Sequence, residues 1–133
     1  MRTITTNRND RRKLDAAIKH LTKSLAPRLW VDATHLHRQR GDRMFYQEKL
    51  AARRICRFLQ SHIPLPFFPH NFPTEADRLL AVVAIEDAIA AGVSSRKIEQ
   101  AQRFLARGDA AAGDAACSNG IEDYRKAWQR VAR

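Results

Sequence analysis

Cysteine is scarce in this sequence: only Cys56 and Cys117, far apart. Two such residues are no disulfide scaffold and lack the close spacing of a metal knuckle. Two buried free thiols are the expected state, and one long-range disulfide is the alternative in an exported chain. Five glycines and five prolines are too few for a turn-rich all-β chain. Long apolar runs are missing too. The longest apolar-leaning stretch, Leu79 to Ala91, is broken by Glu86 and Asp87, short of the ~20 residues that a membrane span needs. The polar N-terminus, Met1 to Arg12, has no apolar run behind its arginines, so no signal peptide is expected and the compartment stays unassigned. Gly-rich phosphate loops, Gly-x-Ser-x-Gly elbows and His-Glu-x-x-His pairs are all absent. No reaction and no cofactor are implied, and the chain reads as non-enzymatic.

Acidic residues are the other shortage. Lys and Arg number 24 against 14 Asp and Glu, a formal charge of +10 in 133 residues. That length suits one domain with one core. The excess lies entirely in residues 1–66, while residues 67–133 balance to zero. Residues 1–61 form a basic half, residues 62–73 a proline-rich strap and residues 74–133 a neutral half. A basic surface suggests an anionic partner without naming one.

The pattern between these markers is helical throughout. Asn9 and Asp10 precede a stripe of Leu14, Ile18, Leu21 and Leu25, which Pro27 ends. Arg28 to Leu36 reads as a turn or one short helix. A long helix runs from about Arg43 to about Ser61, with Met44, Phe45, Ala51, Ile55, Phe58 and Leu59 inward. Its outer face carries Lys49, Arg53, Arg54 and Arg57. Pro64, Pro66, Pro69 and Pro73, interleaved with Phe67, Phe68 and Phe72, exclude helix or central strand from the strap. Thr74 opens a third helix with Glu75 and Asp77 in its first turn. Its broad apolar face, Leu79, Leu80, Val83, Ala84 and Ala88, marks it as the central helix, ending at Gly92. Ser94 or Ser95 caps a fourth, with Ile98, Ala101 and Leu105 inward; its period continues past Gly108 toward Asp114. Ser118, Asn119 and Gly120 turn into a last helix with Ile121, Tyr124, Trp128 and Val131 inward. The expected fold is an all-α antiparallel bundle of about five helices, with Trp30 and Trp128 as packing anchors.

Several segments together carry a resemblance. The first half reads Ala17-Ile18-Lys19-His20-Leu21, Ser24-Leu25, Trp30-Val31-Asp32, His35-Leu36, Gly41, Phe45 and Glu48-Lys49-Leu50-Ala51. The second reads Asp77-Arg78-Leu79-Leu80-Ala81, Ala84-Ile85, Ala88, Gly108-Asp109, Ile121 and Tyr124-Arg125-Lys126-Ala127-Trp128. Over residues 13–132 this resembles an all-helical module found at the C-terminal ends of large secreted bacterial proteins. The resemblance implies a helical fold and a structural or protein-interaction role, and it brings no catalytic residues. The chain departs from the module in beginning at its own Met1 without a signal peptide. It also has Ala115-Ala116-Cys117-Ser118 where the module tends to have a Gly-Asp turn.

Three constellations invite a functional reading. The basic residues Arg38, Arg40, Arg43, Lys49, Arg53, Arg54 and Arg57, with Arg8, Arg11, Arg12 and Lys13 near the start, would form a polyanion patch if they converged. Asp32, His35 and His37 would suit a metal only in a strand, because x-spaced side chains on a helix point apart. Arg40-Gly41-Asp42 and Arg107-Gly108-Asp109 are adhesion-like triplets, but each glycine can equally end a helix. The leading expectation is therefore a structural or interaction module with a protein partner or a second copy. The alternative is a basic nucleic-acid or polyanion binder, and a metal-dependent protein is the third reading.

Overall fold

The computed structural model describes residues 8–62, 75–111 and 119–132. These residues form five α-helices: α1 Arg8–Ser24, α2 Asp42–His62, α3 Glu75–Ala90, α4 Ser95–Ala111 and α5 Asn119–Ala132. A 3-10 turn, Pro27–Leu29, follows α1. Among the described residues the only β pairing is a lone antiparallel bridge between Trp30 and Leu36. The chain is an all-α bundle. Of the expected strap over 62–73, His62 is the last residue of α2 and the rest lies outside the described residues, as do Ser118 and Cys117; Asn119 and Gly120, expected in a turn, instead begin α5.

Two hairpins, α1 with α2 and α4 with α5, supply most of the packing, and α3 lies on α5 and α4. The central helix is α5, not α3: it touches α2, α3 and α4. Its Gly120, Ile121, Tyr124, Ala127 and Trp128 are all buried. These positions recur at helical spacing on one face, so one stripe serves three neighbours. Trp128 meets Phe45 of α2 at 5.9 Å between ring centres. The expected anchor Trp30 is only partly buried, and its indole N–H donates to the Ser24 carbonyl at 2.8 Å. That bond closes the end of α1, where backbone carbonyls lack helical partners.

The inward face of α1 is rotated from the leucine stripe. Asp10, Ala17 and Ser24 are buried, whereas Ile18 and Leu25 are 60% and 68% exposed. Small residues at the seam let α1 approach α2 closely. Polar bonds then fix the pair: His20 with Gln47 at 2.8 Å, and the Ser24 hydroxyl to Glu48 at 3.2 Å. On α2 the expected inner residues Met44, Phe45, Ala51 and Phe58 are buried, joined by Ala52 and Cys56. Cys56 is disulfide-bonded, which overturns the expectation of a free thiol there.

Gly92 ends α3 as expected. Its φ is +73°, a conformation that favours glycine. The Gly92 amide donates to Ile89 and the Val93 amide to Ala88, the paired bonds of a Schellman ending. Gly108 does not end α4, which continues to Ala111. It is buried because a Cβ there would overlap the ring of Tyr124. Gly41 is just as constrained: a Cβ would lie 2.9 Å from the Trp128 ring and 2.5 Å from the Leu36 Cβ.

Gly108 thus has a packing reason that outweighs its poor helix propensity. Alanine there should improve the isolated helix by up to about 1 kcal/mol. Gly108→Ala in the folded protein should instead lose about 1–3 kcal/mol, because the ring of Tyr124 must move. Denaturant unfolding of the two proteins measures the sign, and a more stable variant would contradict the packing argument.

Candidate functional site

The segment between the 3-10 turn and α2 is shaped by its own polar groups. One oxygen of Asp32 accepts the backbone amides of Thr34 and His35, each at 2.9 Å. This is the local turn that a short carboxylate side chain favours. The turn presents the His35 ring between two acids. Its Nδ1 lies 2.8 Å from Asp32, and its Nε2 lies 2.7 Å from Asp87 on α3. The carboxylates raise the His35 pKa, Asp32 first and Asp87 next, and the Thr34 amide followed by His35 lowers that of Asp32. As an imidazolium the ring donates from both nitrogens, so neither lone pair is left to ligate a metal or accept a proton.

Asp32 and His35 therefore do meet, with Asp87 as a partner that the sequence pattern did not single out. His37 does not join them. The Gln39 amide donates to its Nδ1 at 3.2 Å, and the Arg40 guanidinium lies 3.2 Å from its Nε2. Among the described residues no three His, Cys, Asp or Glu side chains are arranged to hold a metal ion. Beneath His35 and Asp87 opens a cleft of about 250 Å³. Its wall is mostly apolar, from Leu80, Val83, Ala84 and Ala88 of α3, Val93, and Trp128 and Val131 of α5.

The seven basic candidates have different surroundings. Arg38 donates from Nε to the Ala132 carbonyl at 3.1 Å, where the C-terminal end of α5 attracts a cation. Arg40 sits by His37, and Lys49 pairs with Glu122 at 3.7 Å. Arg43 instead faces a separate cleft with Lys23, Arg28 and Tyr46. Arg53, Arg54 and Arg57 are exposed farther along α2; Arg54 is roughly 16 Å along the axis from Arg43.

The second Arg-Gly-Asp triplet is structural. Asp109 accepts the Arg78 guanidinium at 2.7 Å and the Tyr124 hydroxyl at 2.8 Å. The Arg78 guanidinium lowers the Asp109 pKa, helped by the Tyr124 hydroxyl and opposed by burial. In the first triplet Gly41 is buried, and Asp42 accepts from Gln129 at 3.2 Å.

Asp77, in the first turn of α3, is the least expected residue. It is fully buried, and among the described residues no other residue offers a hydrogen bond to either carboxyl oxygen. Burial, then the charge of Glu48, pushes its pKa up to about 8. Glu48 is itself raised by burial, against the Ser24 hydroxyl that bonds it. Around Phe104 of α4 a further cluster gathers cations from the neutral half, which the balanced charge count of that half conceals. No described helix is long and apolar enough to cross a membrane. Comparison with known proteins returns no matching family model, no matching curated protein and no matching solved structure.

Both raised pKa values make the fold sensitive to pH. A carboxyl whose pKa rises on folding binds its proton more tightly in the native state, so stability falls as pH rises between the unfolded and folded values. For Asp77 that window runs from 3.8 to about 8. Asp77→Asn should flatten the decline and be more stable than the parent by at least about 1 kcal/mol at pH 9, since each tenfold change in proton affinity is worth ~1.4 kcal/mol. Urea unfolding from pH 4 to 9 checks this, and parallel curves would contradict it. For His35 the raised pKa means that the clamp is fully formed below the ordinary histidine value and lost as pH rises through the folded one. In an NMR titration Asp87→Asn should bring the His35 pKa down.

Proposed function

We propose that this protein is a non-enzymatic helical interaction module that pairs with a second copy of itself through the outer face of α3. The observation that carries this reading is the exposure of Leu79 and Ile89, at 63% and 52%. With the partly exposed Val82 and the exposed Glu86 they are spaced three, four, three, the repeat with which helices pair side by side. The helix is apolar around most of its circumference, yet among the described helices α5 and α4 are the ones that pack on it most. An uncovered stripe of this kind marks an interaction site more often than a plain surface. A two-fold axis would place the same stripe against itself, so one helix supplies both sides of the contact.

Two further features support the reading. The resemblance to the helical module of secreted bacterial proteins implies a structural or interaction role. The disulfide at Cys56 suits an oxidising compartment, where such modules are placed.

Sedimentation velocity across micromolar to sub-millimolar concentrations tests the proposal. The parent should shift from monomer to dimer. Leu79→Lys with Ile89→Lys should remain monomeric with unchanged helical circular dichroism. A parent that stays monomeric at every concentration would overturn it.

A further inference from the structure

The cations around Phe104 come from two helices. Arg107 of α4 lies 5.6 Å from the ring centre, and Lys126 and Arg130 of α5 each lie 5.9 Å from it. All three are within the range at which a ring face attracts a cation. No two of them can therefore be farther apart than twice that distance. Lys126 and Arg130 border an open cleft of about 510 Å³ that also takes in Lys97, Phe104 and Gln129, with no carboxylate in its lining among the described residues.

Acids are nearby but engaged. Asp123 lies 3.8 Å from Arg107, and Glu122 bonds Arg125 and pairs with Lys49 while its charge also reaches Lys126. Among the described residues, Lys97, Lys126 and Arg130 have no carboxylate at ion-pair distance. Like charges held this close repel one another, and contact with one phenyl ring offsets only part of that. A multivalent anion would relieve the rest. The ring also limits the freedom of long side chains, which lowers the entropic cost of ordering them around a ligand.

We propose that this cleft binds a ligand carrying several linked phosphate groups, with Lys97, Lys126 and Arg130 as its direct contacts and Phe104 as the residue that gathers Lys126 and Arg130. The site is separate from the outer face of α3, so its test is independent of the dimer. It also gives the basic character of the chain a place in the half whose formal charge is zero.

The probes are inorganic triphosphate and ATP, titrated calorimetrically into the full chain at low salt. Three variants with helical content checked by circular dichroism complete the set: Lys126→Gln with Arg130→Gln, Lys97→Gln alone, and Arg54→Gln with Arg57→Gln on α2. The parent should bind triphosphate, the first pair should weaken it at least about tenfold, and Lys97→Gln should weaken it severalfold. The α2 pair removes the same charge elsewhere and should change it less than threefold. Tighter binding of ATP would assign the ligand to nucleotides, and equal binding to free oligophosphate; both uphold the site. Equal losses in the two double variants would mean a general field effect and overturn the proposal, as would no binding of either probe.

Discussion

The arrangement of the bundle rests on how closely α4 and α5 approach each other at Gly108. With no side chain at that position, the ring of Tyr124 lies against the α4 backbone. Its hydroxyl then reaches Asp109, one residue further along the same helix. Asp109 in turn holds Arg78, so a single carboxylate joins α3, α4 and α5. Displacing the ring would shift the hydroxyl, and the bond from α3 would lose its shared partner. Gly41 plays the matching part at the other end of α5, where Trp128 lies against the segment that leads into α2. One tripeptide, Arg-Gly-Asp, is thus used twice for the same physical reason. Glycine permits contact with an aromatic ring of α5, and the aspartate beside it accepts a bond from a side chain of that helix.

Much of this architecture was legible from apolar spacing. The stripe Ile121, Tyr124 and Trp128 is the buried face of α5, and Gly92 ends α3 in a left-handed turn. Two inferences failed for one reason. Periodicity shows where apolar residues lie but not how many neighbours cover them. On α3, Leu79 looked central and is exposed, because the helix has apolar residues on sides that no other described helix covers. Ile18 on α1 and Leu25 just after it looked inward, but the seam takes the small Ala17 and Ser24. Close helix approach selects for small size, and a hydrophobic pattern under-weights it.

The polar sites were less legible because each is assembled from distant segments. Asp32 and His35 are neighbours in sequence, but the second acid of the clamp, Asp87, comes from α3. Phe104 is a lone aromatic on α4, and its cations arrive mostly from α5. Summing charge over halves of the chain erased this cluster. Acids concentrate on α3, which carries Glu75, Asp77, Glu86 and Asp87 against one arginine, while α4 and α5 have more cations than acids. A balanced total can hide a divided surface, since the field at a surface follows the position of each charge.

The His35 joint differs in kind from the glycine contacts. Those are set by shape, and shape varies little with solvent. The tie between the 30–38 segment and α3 depends on one proton, held at the surface between two acids. Salt weakens such a contact, and alkali leaves the ring one N–H for its two acids, while the steric fit at Gly108 and Gly41 is untouched. The bundle therefore has a permanent framework around α5 and, over the apolar cleft, a seam whose grip is set by the surrounding medium.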